Sequence, residues 1–162
     1  MILFVQTYSG YRSTRADHKG QKNLLAPNAT DEDLGTAVLD ALSHSRFVLG
    51  APREGVALGA EVEFDMELYD YKKAAERYAE WTQDLMARYG YKTKRALFKD
   101  MKNVSIESKN GVMTFSPSHH EKMEAWGREK GRDSFEDVMV SASSTAAEIG
   151  AALRLAFSRC TG

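Results

Sequence analysis

Two adjacent histidines followed by a glutamate, at positions 119–121, come nearest to a metal or acid–base site in this sequence. Imidazole and carboxylate groups can bind metal ions and transfer protons. Consecutive side chains on a strand point to opposite faces, however, so His119 and His120 could not readily bind one ion. The pattern is more typical of a polar strand start. A small enzyme built on these histidines is therefore a weaker hypothesis than either of the two binding functions described below.

Motifs for nucleotide binding and hydrolysis are missing from the sequence, which has no Walker loop, no G-x-G-x-x-G after a strand, no H-E-x-x-H and no G-x-S-x-G. Cys160 is the only cysteine, which excludes an intrachain disulfide and the cysteine-rich zinc patterns and favours a reducing compartment. We therefore expect no catalytic residue, no metal site and no cofactor. A binding function is the expectation that follows.

Acidic and apolar residues alternate strictly from position 61 to position 68. The acidic residues of this segment, with one more just beyond it, are Glu61, Glu63, Asp65, Glu67 and Asp70. If the segment is extended, one face is a row of carboxylates and the other is apolar. One interpretation is an edge strand with a solvated acidic side. The other is a surface that attracts a basic partner, such as the active-site cleft of a nuclease.

A second charged segment, at positions 89–95, interleaves tyrosines with Lys92, Lys94 and Arg95. Basic groups beside stacking rings are how single-stranded nucleic acid is held, so a single-stranded nucleic-acid-binding module is the alternative function. The net charge of −1 disfavours this alternative, since domains that bind nucleic acid usually carry a clear positive excess. Tyr89 also fits the apolar stripe of a helix.

The elements that position these segments predict an α+β fold of a single domain over residues 1–162, with an antiparallel β-sheet. Two amphipathic helices with N-terminal capping boxes are expected at about 31–45 and 146–159, the first starting at Thr30 and Asp33 and the second at Thr145 and Glu148. The longest helix is expected at about 67–89. Asn110-Gly111 predicts a hairpin that pairs Ile106 with Phe115. Residues 96–101 are expected to form a strand.

The two capped helices resemble each other, with Gly35 and Gly150 at matched positions. Glycine inside a helix destabilises it, so each should have a packing reason, which we expect to be close contact with the sheet. The likeness indicates either two good amphipathic helices that are similar by chance or a duplicated fold.

The composition is that of a globular protein, with 162 residues, 43% apolar and 28% charged. The N-terminal residues lack the basic and long apolar regions of a signal peptide. No stretch approaches the ~18 apolar residues of a membrane span. We therefore expect a cytoplasmic protein that has no membrane partner.

Four stretches of the chain carry a resemblance to a known family: the helix at 33–43 and residues 88–102, 119–126 and 147–160. They resemble the contact-dependent growth inhibition immunity (CdiI) family of bacteria. The matching parts run from near residue 30 to the C-terminus and include a long, unusual string of residues at 88–102. Residues before 30 and those at 47–68 contribute little to the resemblance.

The resemblance implies an immunity protein, which is not an enzyme and has no catalytic residues to carry over. Its expected partner is the cognate C-terminal toxin domain of a large exported effector, expected to be a nuclease, and nucleic acid is not an expected partner. The carboxylates at 61–70 lie outside the stretches that resemble the family framework. They therefore become the candidate toxin-binding residues, because immunity proteins must differ at the surface that selects the toxin.

Overall fold

The structure is a computed structural model that describes residues 2–52, 54–55, 59–127 and 136–162. Its described residues fall into two compact units, each presented here by itself. The first contains the chain up to Pro27 and Leu39–Trp81, and the second contains Asn28–Val38 and Thr82–Gly162. Helices and mainly antiparallel strands occur together, which confirms the α+β class.

Short strands in three pairs form the described sheet structure of the first unit. The pairs are β1 (Leu3–Gln6) with β4 (Lys22–Leu25), β2 (Tyr8–Tyr11) with β3 (Ser13–Ala16), and β5 (Val48–Leu49) with β6 (Glu63–Phe64). The first two pairs are antiparallel and the third is parallel. The backbone N–H of Gly10 in β2 donates to the carbonyl oxygen of Arg46, 3.1 Å away, so β2 also lies beside the chain that leads into β5.

Two of the three boundaries between the units fall inside helices. The first, α1 (Asp31–Ser43), begins and ends close to the predicted 31–45. The second, α2 (Tyr71–Tyr89), begins later than the predicted residue 67, because a 3-10 helix at Met66–Tyr69 precedes it. The Asp70 carboxylate accepts hydrogen bonds from the backbone N–H groups of Lys72 and Lys73, which fixes the start of α2.

The described residues of the second unit form a short helix, α3 (Lys94–Phe98), five strands and the C-terminal helix α4 (Ala146–Arg159), the last as predicted. The strands are β7 (Val104–Lys109), β8 (Val112–Pro117), β9 (His119–Lys122), β10 (Ala125–Gly127) and β11 (Val138–Ser141). They form an antiparallel sheet in the order β11-β8-β7 and a separate β9–β10 hairpin. Helix α4 packs on the three-stranded sheet.

The hairpin register is confirmed, with Ile106 opposite Phe115 and Lys109 opposite Val112. Asn110 and Gly111 both have positive φ, at 51° and 76°, as a type I′ turn requires. Phe115 is fully buried and Ile106 is half-buried. Turn chemistry and apolar alternation therefore agree on the register, which is why the sequence was sufficient here.

The strand predicted at 96–101 is wrong, because that part of the chain begins within α3. Thr93 caps this helix, its hydroxyl accepting a hydrogen bond from the Ala96 N–H at 3.1 Å. Leu97 and Phe98 are buried, at 5% and 1% exposure. A short apolar run has the same appearance in a strand and in one turn of a buried helix, so its periodicity could not decide between them.

Both predicted capping boxes are present. At α1 the Asp33 carboxylate accepts from the Thr30 N–H at 2.8 Å, and the Thr30 hydroxyl accepts from the Asp33 N–H at 3.1 Å. These bonds from the side chain and backbone of Thr30 lower the pKa of Asp33. At α4, Thr145 and Glu148 make the same reciprocal pair. Each box satisfies two donors that a helix N-terminus otherwise leaves unpaired.

Gly35 and Gly150 do have a packing reason, but it is helix on helix rather than helix on sheet. A Cβ on Gly35 would overlap the carbonyl oxygen of Ala146, in the first turn of α4. A Cβ on Gly150 would overlap the carbonyl oxygen of Asp31, in the first turn of α1. Arg154 also donates to the Asp31 carboxylate. The two matched glycines therefore have the same role, because the absence of a Cβ at each one lets the backbone of the other helix approach closely.

Candidate binding surface

The acidic segment at 61–70 lies in the first unit, where only its central part is extended. β6 pairs with β5, and the chain then turns into the 3-10 helix. The turn forms at Asp65, whose carboxylate accepts hydrogen bonds from the N–H groups of Glu67 and Leu68 at 3.1 and 3.3 Å. A side chain that caps the next turn competes with extended backbone, which limits the strand to two residues.

The expected separation into an acidic face and an apolar face is wrong. Asp65 is 6% exposed, whereas Phe64 and Met66 on either side of it are 45% and 74% exposed. Of the apolar residues in the alternating pattern, Leu68 alone is buried. The segment therefore presents two large apolar side chains outward and holds one carboxylate inward.

The reason for the burial of Asp65 is Arg46, which binds three carboxylates. Its Nε and Nη2 donate to Asp17 at 2.8 and 2.7 Å, its Nη1 donates to Glu63 at 2.7 Å, and its Nη2 is 3.2 Å from Asp65. The Lys19 ammonium is 2.9 Å from Asp65. The side chain of Asp17 is fully buried and that of Asp65 is 5% exposed. Arg46, Asp17, Glu63, Asp65 and Lys19 are called the Arg46 cluster below.

Burial opposes ionisation in the Arg46 cluster, and its hydrogen bonds outweigh that effect. Burial raises the pKa of Asp17, but hydrogen bonds from Arg46, Ser9 and the Lys19 N–H hold that pKa far below its usual value. For Asp65, burial is again outweighed by Lys19 and Arg46, and the pKa falls to about 2. The bond to Asp17 raises the pKa of Arg46. Asp17, Asp65 and Arg46 are therefore charged at neutral pH.

Acid is expected to weaken the fold through Asp65. A carboxylate whose pKa is lower in the folded chain stabilises the fold above its unfolded pKa of about 4. This contribution disappears as the pH falls through the folded pKa, which is about 2. Urea unfolding from pH 6 to pH 2 should show a loss of roughly 2 kcal/mol from this group, mostly below about pH 4. Asp65→Asn should lack that part of the decline, and parallel curves for the two proteins would contradict the assignment.

Other carboxylates of the segment also have partners within the first unit. Glu67 contacts Arg77 at 3.0 Å and Lys73 at 3.3 Å, and Asp70 caps α2. Hydrogen bonds from the Lys73 and Lys72 N–H groups lower the pKa of Asp70 despite slight desolvation. Glu61 is exposed, as is Glu63 despite its bond to Arg46. The structure therefore brings Glu63 and Asp65 together at Arg46 and places Glu67 and Asp70 at the start of α2, so that four of the five predicted residues have roles in the fold.

Two open depressions flank the segment. One is lined by residues that include Arg46, Phe47, Glu61 and Glu63. The other is lined by residues that include Leu49, Pro52, Met66 and Tyr69. The first is polar, and the second is richer in apolar groups.

The basic segment at 92–95 is part of a helix start. Thr93 is the cap of α3, and Lys94 lies 3.5 Å from the Glu124 carboxylate. Tyr91 is half-buried and Tyr89 is 42% exposed. Nothing in this arrangement favours nucleic-acid binding over a solvated helix start.

His119 and His120 begin β9 and make separate contacts. Nδ1 of His119 is 2.8 Å from the Thr161 hydroxyl, and Nε2 of His120 donates to the Met123 carbonyl oxygen at 2.8 Å. The His120 ring stacks on Trp126 with centroids 5.2 Å apart. Within the described ranges, no group of three His, Cys, Asp or Glu side chains could hold a metal ion.

Two of the residues that matter most here, Arg46 and Asp17, were not predicted. They are 29 positions apart and belong to no motif, so no local signal could have paired them. Cys160, by contrast, is buried as expected for a small apolar residue. Among the residues that the structure describes, no helix has the length and apolarity needed to cross a membrane.

Comparison with known proteins covers almost the whole chain. The model of the CDI immunity protein family, CdiI, matches residues 1–160. The immunity protein CdiI-YPIII of Yersinia pseudotuberculosis serotype O:3 (strain YPIII) is 53% identical over 161 residues, which are 99% of this chain and 90% of that protein.

Solved structures agree with the family match. A CdiA-CT/CdiI toxin and immunity complex from Yersinia pseudotuberculosis contains a chain 52% identical to this one, with a TM-score of 0.90, covering 98% of this chain and 91% of that chain. A protein of unknown function from Neisseria meningitidis is 38% identical, with a TM-score of 0.82, covering 98% and 88%. The resemblance seen in the sequence is confirmed, and the chain belongs to the CDI immunity protein family.

Proposed function

We propose that this protein is the immunity partner of one contact-dependent growth inhibition toxin. It binds the C-terminal toxin domain of a large exported effector in the cytoplasm and blocks its activity by occupying its surface. The observation that carries this proposal is the 52% identical chain, with a TM-score of 0.90, in a toxin and immunity complex. The family match spans residues 1–160, which supports the whole chain, 1–162, acting as one immunity domain.

Inhibition by occupancy needs no catalytic group and no cofactor in the immunity protein. The contacts of His119 and His120 described above are structural, which agrees with a binding role. Specificity for one toxin then depends on shape and charge at the contact surface.

The toxin is proposed to be a nuclease, and the surface of residues 61–70 is proposed to contribute to its binding. Nucleases need a basic cleft to bind phosphates, and exposed carboxylates such as Glu61 and Glu63 complement such a cleft. Glu67 and Asp70 lie on the same segment, and the buried Asp65 carboxylate supports the surface indirectly by fixing the turn. Of these five residues, Glu61 has the simplest role to test, because it is exposed and lies outside the Arg46 cluster.

The direct test uses the toxin domain encoded by the gene immediately upstream. The purified domain should cleave nucleic acid, and one equivalent of this protein should abolish that cleavage. The two proteins should form a stoichiometric complex, and production of this protein should protect cells from that toxin but not from an unrelated one. Failure to bind would refute the immunity assignment, whereas tight binding to a toxin without nuclease activity would refute only the proposed toxin class.

Charge reversal at Glu61 is expected to act on association. Glu61→Lys should slow association roughly two- to fivefold at low salt and reduce its dependence on salt, because exposed charges mainly steer encounter. Dissociation should change little. Glu107→Lys, which makes the same charge change on an exposed residue of β7, is the control. Stopped-flow binding over a range of salt concentrations measures both, and equal association rates for the two variants would remove Glu61 from the binding surface.

A further inference from the structure

Four of the large apolar side chains that are exposed on the first unit lie in or beside β2, β5 and β6 or in the turn that follows β6. The exposures are 43% for Tyr11, 42% for Phe47, 45% for Phe64 and 74% for Met66. Tyr11 and Phe47 contact each other, with ring centroids 4.9 Å apart. These four residues are called the aromatic ridge. Large apolar side chains that are exposed close together on a folded protein often mark an interaction site, whereas single exposed ones are ordinary.

Strand pairing places two members of the ridge on one face. Leu49 in β5 is aligned with Phe64 in β6, and Phe47 is two residues before Leu49. Because side chains alternate along a strand, Phe47, Leu49 and Phe64 point to the same side of this parallel pair. Val48, on the other side, is fully buried. Parallel strands are usually covered on both faces, so the side with Phe47 and Phe64 is unusual in being exposed.

The Arg46 cluster sets the outward direction of the ridge. Asp65 lies between Phe64 and Met66 in the chain and is held inward by Arg46 and Lys19. Since Asp65 also caps the 3-10 helix, the backbone on both sides of it is fixed. The two neighbouring apolar side chains are therefore presented by a rigid turn, which lowers the entropy lost when a partner binds them.

We propose that the aromatic ridge is the docking surface for the toxin domain, an inference that rests on the proposed function. The matching toxin surface is apolar at its centre and cationic where it faces Glu61 and Glu63. Interfaces are enriched in Tyr, Phe and Met at their centre, with charged groups at the rim. The carboxylates of Glu67 and Asp70 are already engaged within the unit, which leaves Glu61 and Glu63 as the acidic rim. The apolar side chains of the ridge therefore supply most of the binding free energy, and the acidic rim speeds association.

The occupant is the toxin rather than a second copy of this chain. A self-complementary interface would bring further carboxylates to the rim that already holds Glu61 and Glu63, and like charges oppose such a contact. A basic toxin surface has the opposite effect. The adjacent depression lined by Leu49, Met66 and Tyr69 offers space for an apolar side chain of the toxin.

Alanine substitutions on the ridge test the inference with the cognate toxin domain as the probe. Met66→Ala and Phe64→Ala should each raise the Kd by at least about tenfold, mainly through faster dissociation, as expected for residues at the centre of an interface. Met139→Ala on β11, which removes a methionine side chain that is 65% exposed in the second unit, should leave the Kd within about twofold. Thermal melts of the free variants should match the wild type, since Met66 is solvated.

The outcomes separate the two proposals. If the wild type does not bind the toxin domain, the proposed function fails and the docking surface with it. If the wild type binds and the double variant Phe64→Ala with Met66→Ala binds equally well, the docking surface is wrong while the proposed function stands. Should Phe64→Ala lower the melting temperature, the result for Met66→Ala decides, because that exposed side chain can be shortened without opening a cavity.

Discussion

Replacing Arg46 with methionine is expected to lower the free energy of unfolding by roughly 3–5 kcal/mol. The substitution keeps most of the apolar stem but removes the cation that neutralises Asp17, whose side chain is fully buried, and Asp65, whose side chain is 5% exposed. A buried carboxylate without a partner must lose its charge or draw in water, and both are costly. Urea unfolding at pH 7 measures the change.

Three further variants identify the cause. Arg88→Met removes an exposed pair with Asp84 and should cost less than about 0.5 kcal/mol. Arg46→Lys should recover only part of the loss, since a lysine cannot donate two parallel hydrogen bonds to Asp17. Asp17→Asn added to Arg46→Met should restore some stability by removing the uncompensated charge. If Arg46→Met were no worse than Arg88→Met, the cluster would not stabilise the fold.

Substitution of Gly150 by alanine is expected to destabilise the protein by roughly 1–3 kcal/mol, through overpacking. In an ordinary helix interior the same change stabilises by about 1 kcal/mol, so the sign of the effect is the test. The physical reason is that the new Cβ would overlap the backbone carbonyl oxygen of Asp31, which is a part of the chain that cannot rotate away. Gly35→Ala should have an effect of similar size, because its Cβ would meet the Ala146 carbonyl oxygen.

The control for this crossing is Ala151→Leu, which adds a larger side chain at the exposed neighbour of Gly150 and should change stability by less than about 0.5 kcal/mol. In the double variant Gly35→Ala with Gly150→Ala, the two losses should sum to more than the observed total. Once one substitution has pushed the helices apart, the second meets less resistance. Melting temperatures that rise in both single variants would show that the helices are not in close contact.

Features set by neighbouring residues could be predicted from the sequence. The turn at Asn110-Gly111 fixes the register of β7 and β8, and the two capping boxes fix where α1 and α4 begin. In each case the residues that determine the geometry lie within four positions of each other. The resemblance at 88–102 and 147–160 likewise led to the correct family.

Features set by residues far apart could not be predicted. The alternation at 61–68 is that of a strand, but Asp65 is drawn inward by Arg46, 19 residues away, and the strand ends. The glycines in the helices indicated close packing, but a glycine in a sequence does not identify which part of the chain packs against it. The sequence indicates the candidate surface through its carboxylates, whereas the exposure of Phe64 and Met66 depends on the ion pairs that hold Asp65 inward.

Within three consecutive residues, the buried Asp65 has a structural role that its exposed neighbours Phe64 and Met66 do not share. Asp65 and its distant partners maintain the backbone, whereas the side chains on either side are 45% and 74% exposed. If the aromatic ridge is the docking surface proposed above, substitutions at the well-exposed Met66, and to a lesser degree at Phe64, alter recognition at a small cost to the fold. On that proposal, a lineage could acquire resistance to a new toxin by changing these two positions first, because the Arg46 cluster would keep the turn between them in place.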